Sequence, residues 1–335
     1  MAPRLWDLVP WALAAAVLLG SAVGVAVMGA REGEGAVAAR SDVTLHEVSV
    51  AWPAATAQDA VAAEPGSPVR GGPPLLIDAA LLEASAGGGL PRIAADGRRP
   101  AETFRRRAPA GDRPKIAVLI LEIGLDRAAS ATAAALPAAF TLVASPYGSR
   151  PWSWHRRGRW LGHEMLLELP VRPRRFPLDD AGPLSLYPGA VTPAAIGAIL
   201  ERGIGYVGVA VEAGQFAAEP MAFRPVAEEL AKRGLSMVEL GSRVLERIAS
   251  ASGLPTVTAE GPLDLEPSAD AIDAALAALE TSARSMRRAV GFVRPLPITM
   301  ERLSAWSRVL PGKGIELVGI GSILEERAAI SAENR

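Results

Sequence analysis

The chain has 335 residues, half of them apolar, which is enough to bury one large core. Its 35 basic residues nearly balance 36 acidic ones, which excludes a general electrostatic field for nucleic acid. The lack of cysteine excludes disulfides, thiolate metal sites and cysteine nucleophiles, and histidine chemistry has only His46, His155 and His163 to draw on.

An apolar stretch near the start of the chain begins at Leu8, ends at Ala30 and contains no charged residue. Its length matches the roughly 20 residues that a helix needs to cross a bilayer core. We therefore expect residues 1–31 to be a transmembrane anchor in a bacterial inner membrane, with a cytoplasmic N-terminus and a periplasmic remainder. The alternative is a signal peptide cleaved near the small residues 24–26.

Residues 32–112 are rich in Ala, Pro and Gly and show no sustained hydrophobic period. Such a segment buries too little apolar surface to offset the entropy of ordering, so we expect a mostly disordered linker. Its last part, residues 90–107, is basic. This part either lies against the following domain or lipid headgroups, or is a solvated linker.

From residue 113 to 326, apolar runs alternate with helical patterns, and a short tail, residues 327–335, follows. Strands are predicted at 116–120, 140–144, 165–169, 206–211, 236–240, 256–258, 289–293 and 315–320. Helices are predicted at 127–136, 152–161, 193–202, 221–233, 242–252, 268–288 and 299–306. This alternation predicts an α/β fold of parallel βα units, and seven or eight units favour a distorted (β/α) barrel.

Polar residues occur at or near the ends of five predicted strands. They are Glu122, Glu168, Glu212, Glu239 and Arg294. Because chemistry in such barrels lies at the carboxyl ends of the strands, we expect these side chains to share one cleft. Four carboxylates and a guanidinium either hold a cation or form an internal polar network.

Residues 150–160 combine three tryptophans with five basic residues, counting His155. Trp154 and its neighbours could stack on sugar rings or bind an anionic glycan. Helical spacing favours a plainer interpretation, in which Trp152, Trp160 and His155 face the core and the arginines face solvent.

From residue 114 to about 324 the chain resembles the divergent polysaccharide deacetylase family, envelope proteins related to the NodB-type carbohydrate deacetylases. The matching segments are PKIAVLILEIGLDRA, FTLVASPYG, GHEMLLELPVRP, DDAGPLSLYPG, GYVGVAVEAG, RPVAEELAKRGLSMVE and VGFVRPLPITMERLSAW. The resemblance implies a distorted (β/α) barrel. It also implies a divalent metal that activates water for attack on an acetyl group.

The positions at which the resemblance places an acidic pair and histidine ligands carry other residues here. The acidic pair reads Leu121 and Glu122, and the histidine positions hold Glu168, Glu212 and Arg294. His163 matches a residue frequent in the family but precedes its strand. Imidazole is the usual ligand of zinc, and none of these ligand positions holds a histidine. The departure from the family's pattern therefore implies that the family's hydrolytic activity is lost.

Three functions remain open. The favoured hypothesis is a membrane-tethered envelope protein without a metal centre or other cofactor, which binds cell-envelope glycan or a protein partner. The second is an active carbohydrate deacetylase with a divalent metal on Glu122, Glu168 and Glu212. The third is a structural envelope component that docks through its basic linker and tryptophan-rich helix.

Overall fold

The structure, a computed structural model, describes residues 78–85, 89–107, 111–149 and 151–333. The predicted anchor, the alternative cleavage site and the first part of the predicted linker lie outside these residues. Among the helices of the described residues, none combines the length and the apolar character needed to cross a bilayer.

Secondary structure follows the predicted alternation closely. The strands are β1 (Leu82–Glu83), β2 (Leu90–Pro91), β3 (Lys115–Ile123), β4 (Thr141–Ala144), β5 (Met165–Glu168), β6 (Gly208–Glu212), β7 (Ser236–Leu240), β8 (Thr256–Ala259), β9 (Arg288–Val293) and β10 (Glu316–Leu317). The helices are α1 (Pro100–Thr103), α2 (Arg127–Ala134), α3 (Pro151–Trp160), α4 (Pro193–Leu200), α5 (Arg224–Lys232), α6 (Glu246–Ala251), α7 (Ala269–Met286), α8 (Pro297–Val309) and α9 (Ile320–Glu333).

Strands β3 to β9 form a nearly closed parallel barrel. Strands β3 to β8 pair in chain order, β9 pairs with the other edge of β3, and all these pairs are parallel. A single parallel bridge between Glu260 and Gly291 brings the end of β8 onto β9. The predicted α/β barrel is confirmed in this form.

The strands are apolar on both faces because each face packs against a different part of the core. In β3, Ala117 and Leu119 belong to the barrel interior, while Ile116, Val118 and Ile120 pack outward with the helices. All five side chains are fully buried, and burying each of the four larger ones contributes roughly 1.5–3 kcal/mol. The continuous apolar run of the sequence follows from this double burial.

The starts of helices α2 and α4 are fixed by capping side chains. Asp126 accepts a hydrogen bond from the Ala129 amide at 2.7 Å at the start of α2. Thr192 caps α4 through the Ala195 amide at 3.1 Å, with proline at the first helical position.

The last predicted strand differs from the structure. Only Glu316 and Leu317 pair with β3, and the chain enters α9 at Ile320. The amide of Gly321 donates to the Glu164 carboxylate at 2.7 Å. This buried acceptor stabilises the first turn of α9, and a helix therefore begins where the sequence pattern predicts the end of a strand. Helix α9 also runs through most of the expected tail, to Glu333.

The amino-terminal end of the barrel is covered by residues that the sequence assigns to a linker. Leu81, Ala94 and Phe104 are buried in the interior core together with Ile320 and Ile323 of α9. Three apolar side chains spread over some twenty residues produce no hydrophobic period, so this docking leaves no signal in the sequence pattern. At least residues 78–85 and 89–107 therefore pack with the barrel domain.

Candidate functional site

The barrel mouth is the end of the barrel formed by the carboxyl ends of β3 to β9 and the loops that follow them. At the end of β3 the register with β4 shifts between Ile120 and Ile123, and Glu122 has a left-handed φ of 60°. This bulge re-aims two consecutive side chains. Leu121 packs against the interior core, and Glu122 is exposed on the rim.

Glu168 ends β5 and faces the interior of the mouth. It is aligned with Ala210 of β6, which lies in the interior core, so Glu168 and Glu212 share a face of the sheet. Burial raises the pKa of Glu168, a hydrogen bond with Ser145 lowers it, and the negative charges of Glu122 and Glu212 raise it further. Glu168 is thus a desolvated carboxyl group between two exposed ones.

Three of the predicted residues, Glu122, Glu168 and Glu212, therefore influence one another across the mouth. Their geometry is looser than that of a metal centre. In the part of the chain that the structure describes, no group of three or more His, Cys, Asp or Glu side chains is placed to hold a metal ion.

Arg294 follows β9 and is bound to Asp264. The Arg294 amide donates to Asp264 Oδ2 at 3.0 Å, and its Nη2 donates to the Asp264 carbonyl at 2.7 Å. The Thr299 hydroxyl also donates to Oδ2, at 3.1 Å, and Nε lies 3.7 Å from Oδ1. Asp264 is fully buried, so Arg294 neutralises a carboxylate other than the three glutamates.

The sequence pattern does not single out Asp264, because this residue lies five positions past the end of β8. The one sequence feature that could have indicated Asp264 is its position in the loop shortly before Ser268, the cap of α7.

Glu239 does not line the mouth. It is fully buried and accepts hydrogen bonds from the Ser242 hydroxyl and from the amides of Val244, Leu245 and Glu246. Its neighbours Val238 and Leu240 occupy the interior core, so alternation along β7 directs Glu239 outward. Its role here is to fix the loop that leads into α6.

Trp154 lies close beneath the loop after β3. A side chain at Gly124 would meet Trp154 Cδ1 at 3.2 Å, and the Arg157 guanidinium lies 5.6 Å from the Trp154 ring centroid. The ring is only partly exposed and packs on the outer core. Trp154 supports the rim on which Glu122 stands.

The rest of α3 differs in part from the predicted stripe. His155 is buried as expected, but Trp160 is 59% exposed, and Arg159 is buried. The helix approaches the sheet at Gly158, where any side chain would collide with Met165, and this contact sets the helix orientation. His163 lies at the opposite end of the barrel from the mouth, with its ring nitrogens against the carbonyls of Phe140 and Ala134.

The sequence pattern does not indicate two tyrosines that lie at the mouth. The Tyr147 hydroxyl accepts a hydrogen bond from the Leu184 amide at 3.1 Å. Burial raises the pKa of Tyr147, and the nearby Glu168 adds to this effect. The Tyr187 ring lies 3.3 Å from the guanidinium carbon of Arg172. Both rings lie in loops, where hydrophobic periodicity gives no information.

A groove of about 800 Å³ runs from Glu122 between helices α2 and α8. Its floor is mostly apolar, with Leu125, Leu136, Leu296 and Met300 among the lining residues. Leu296, two residues after Arg294, thus faces this groove. The groove extends the accessible surface of the mouth along the outside of the barrel.

The divalent metal that the resemblance implies does not fit these residues. Leu121 offers no ligand atom, and Arg294 places a cation where a histidine would bind the metal. The remaining carboxylates, Glu122, Glu168 and Glu212, do not converge as a ligand set.

Comparison with known proteins identifies relatives of the barrel. The family model described as divergent polysaccharide deacetylase matches residues 118–324. The crystal structure of an uncharacterised protein from Agrobacterium tumefaciens C58 is similar at 31% sequence identity and a TM-score of 0.67. That match covers 70% of this chain and 98% of the other. No curated protein matches the sequence.

Proposed function

Because the chain belongs to the divergent polysaccharide deacetylase family, we propose that its barrel mouth binds carbohydrate of the cell envelope without deacetylating it. The observation that carries this proposal is the pairing of Arg294 with buried Asp264. A guanidinium held at a metal-ligand position of the family opposes a divalent cation there, and Leu121 cannot replace the missing carboxylate.

The mouth retains groups that suit a saccharide. Glu168 and the Tyr147 hydroxyl can exchange hydrogen bonds with sugar hydroxyls, while the buried Ser145 hydroxyl bonds to Glu168. Exposed Phe176 and partly exposed Tyr187 can stack on the apolar faces of sugar rings. These are binding contacts, and none of them requires a metal.

The cellular setting is part of the same proposal. The apolar stretch of residues 8–30 supports a membrane tether, with the barrel displayed in the periplasm where envelope glycans lie. A protein partner in the envelope is the alternative occupant of the mouth.

The proposal is tested on the full chain purified in mild detergent. We expect cosedimentation with insoluble cell-envelope glycan and no release of acetate from acetylated chito-oligosaccharides in the presence of zinc, manganese or magnesium. Elemental analysis is expected to find no stoichiometric metal. Failure to bind any glycan would contradict the proposal and direct attention to a protein partner.

A second candidate, a deacetylase with a remodelled carboxylate site, is favoured by the mutual influence of Glu122, Glu168 and Glu212. Stoichiometric metal that is lost in a Glu168→Ala variant, together with acetate release, would establish this candidate. The Glu219→Ala variant, which removes an exposed carboxylate beyond the end of β6, is the matched control.

A further inference from the structure

Arg172 is held in place by two aromatic rings at the mouth. Its guanidinium carbon lies 3.3 Å from the ring centroid of Tyr187 and 4.5 Å from that of Phe176. Stacking of this kind fixes the plane of the guanidinium and leaves the N–H groups along its edge free of the rings.

The backbone on either side of Arg172 is equally fixed. The Arg172 amide donates to the Leu186 carbonyl at 2.8 Å, and the Arg172 carbonyl accepts from the Gln215 amide at 2.9 Å. The preceding residue, Val171, bridges to Leu186 and lies in the outer core, so alternation directs Arg172 the other way, toward the mouth. Both stacking partners and both backbone anchors belong to loops that surround the mouth.

Arg172 lacks the partner that comparable arginines of the barrel have. Arg233 pairs with Glu229 at 2.6 Å, and Arg302 pairs with Asp273. Across the described residues, the Arg172 side chain forms no ion pair, and its buried Nε atom has no hydrogen-bond partner. A cation that is held rigidly and left without an anion is prepared for an anion from outside the chain.

We propose that Arg172, with Tyr187 and Phe176, forms a subsite for the carboxylate of an acidic saccharide. A planar guanidinium pairs with a planar carboxylate through two parallel hydrogen bonds. Phe176 is 41% exposed, so it can also cover one face of the sugar ring that carries the acid.

Neighbouring charges orient such a ligand. Glu212 is exposed at the end of β6, two residues before the turn that anchors Arg172 through Gln215. Repulsion by this carboxylate directs the acidic group of the saccharide toward Arg172. The subsite rests on the proposed function, and it adds the class of saccharide: one that bears carboxylates.

The test is calorimetric binding to the full chain in mild detergent. The probes are a tetramer of galacturonic acid, its methyl ester, the neutral tetramer of N-acetylglucosamine and inorganic phosphate. We expect the acidic tetramer to bind roughly tenfold or more tightly than its ester, because the ester cannot form the charge-assisted pair. Arg172→Gln is expected to abolish this preference, so that the acidic tetramer binds no more tightly than its ester.

Arg174→Gln is the matched control, since it removes the same charge from an exposed position of the same loop. We expect it to bind the acidic tetramer within twofold of the wild type, and Arg172→Lys to lose most of the preference because lysine lacks the planar fork. Melting temperatures check that each variant is folded.

Three results would overturn the subsite. Equal loss in Arg174→Gln would indicate a diffuse charge effect, and displacement of the acidic tetramer by phosphate at comparable concentration would indicate a general anion contact. Binding of the neutral tetramer with no acid preference would refute the subsite while leaving glycan binding intact. Binding of no saccharide would refute both.

Discussion

At the scale of single residues, the titration of Glu168 reports the arrangement of the mouth. The negative charges of Glu122 and Glu212 raise its pKa in addition to the effect of burial. We therefore expect Glu122→Gln and Glu212→Gln each to lower the pKa of Glu168, measured by NMR of labelled carboxyl carbons. Glu219→Gln removes an exposed charge that does not act on Glu168 and is expected to leave its pKa unchanged. An unchanged pKa in all three variants would show that the mouth carboxylates do not interact.

Two buried residues away from the mouth shape the pH dependence of stability in opposite directions. Burial lowers the pKa of His155 to about 3 and raises that of Glu164 to about 7. Between pH 4.5 and 6.5 the folded chain therefore lacks a proton that unfolded His155 binds and holds one that unfolded Glu164 releases. His155 makes the protein more stable as pH rises, Glu164 makes it less stable, and the two contributions offset each other.

Substitution separates these contributions. Relative to the wild type, we expect Glu164→Gln to gain about 1.4 kcal/mol in free energy of unfolding per unit rise in pH between 5 and 6.5. His155→Leu is expected to show the opposite slope, because it removes the other contribution. Urea denaturation at several pH values measures both. Parallel pH profiles of variant and wild type would contradict the assignment.

The sequence predicts at which end of the barrel the candidate residues lie, but only partly which side chains face the interior. The rule that chemistry lies at strand ends places Glu122, Glu168 and Glu212 at one end of the barrel, where the charges of the other two act on Glu168. Whether a side chain faces inward depends on strand register and bulges, which the sequence does not show. The strand-end rule therefore includes Glu239 in the cleft, although its carboxylate accepts hydrogen bonds from the loop before α6. The partner of Arg294 was unpredictable because it comes from a different loop.

At the scale of elements, the start of α9 depends on two glycines packed against Glu164. A side chain at Gly319 would lie 2.5 Å from the Glu164 carboxyl carbon, and one at Gly321 would lie 2.7 Å from Arg105 Cβ. Glu164 cannot retreat, because it also accepts a hydrogen bond from the Arg106 amide at 2.6 Å. The helix start and the buried carboxylate therefore require each other.

We expect Gly319→Ala to destabilise the protein by roughly 1–3 kcal/mol through this overpacking. Gly312→Ala is the matched control, since no atom lies within 4 Å of its added carbon, and we expect a change within about 0.5 kcal/mol. Equilibrium unfolding in urea distinguishes the two. Equal effects would mean that α9 can shift away from Glu164.

Elements were predictable where burial is continuous. The run at residues 236–240 coincides with β7, and the predicted helix at 268–288 agrees with α7 to within two residues at each end. Prediction failed at β10, where the apolar residues around Gly319, three before it and Ile320 after it, fit a strand as well as a helix start. A contact with Glu164, more than 150 residues away, decides between them.

At the scale of the whole molecule, Leu81, Ala94 and Phe104 complete the interior core. Phe104 is 3% exposed, and the Arg159 guanidinium lies 5.4 Å from its ring centroid. We expect Phe104→Ala to lower the free energy of unfolding by about 3–5 kcal/mol, because it leaves a cavity under the barrel. Leu178→Ala, at an 83% exposed position, is expected to change it by less than about 0.5 kcal/mol. A small effect at Phe104 would show that the segment is dispensable for the barrel.

At the amino-terminal end of the barrel, the start of α9 contacts residues that come much earlier in the chain. The Ser322 hydroxyl bonds to the Arg106 carbonyl across 216 positions, and the Gly321 amide bonds to Glu164 across 157. During synthesis, β3 emerges early but must wait for β9 and α9 before its edge and inner face are covered. Until then the apolar strands present open edges to other chains. Biosynthetic yield therefore depends on the final helix, and a premature stop before α9 would produce an aggregating chain even though every mouth residue had been made.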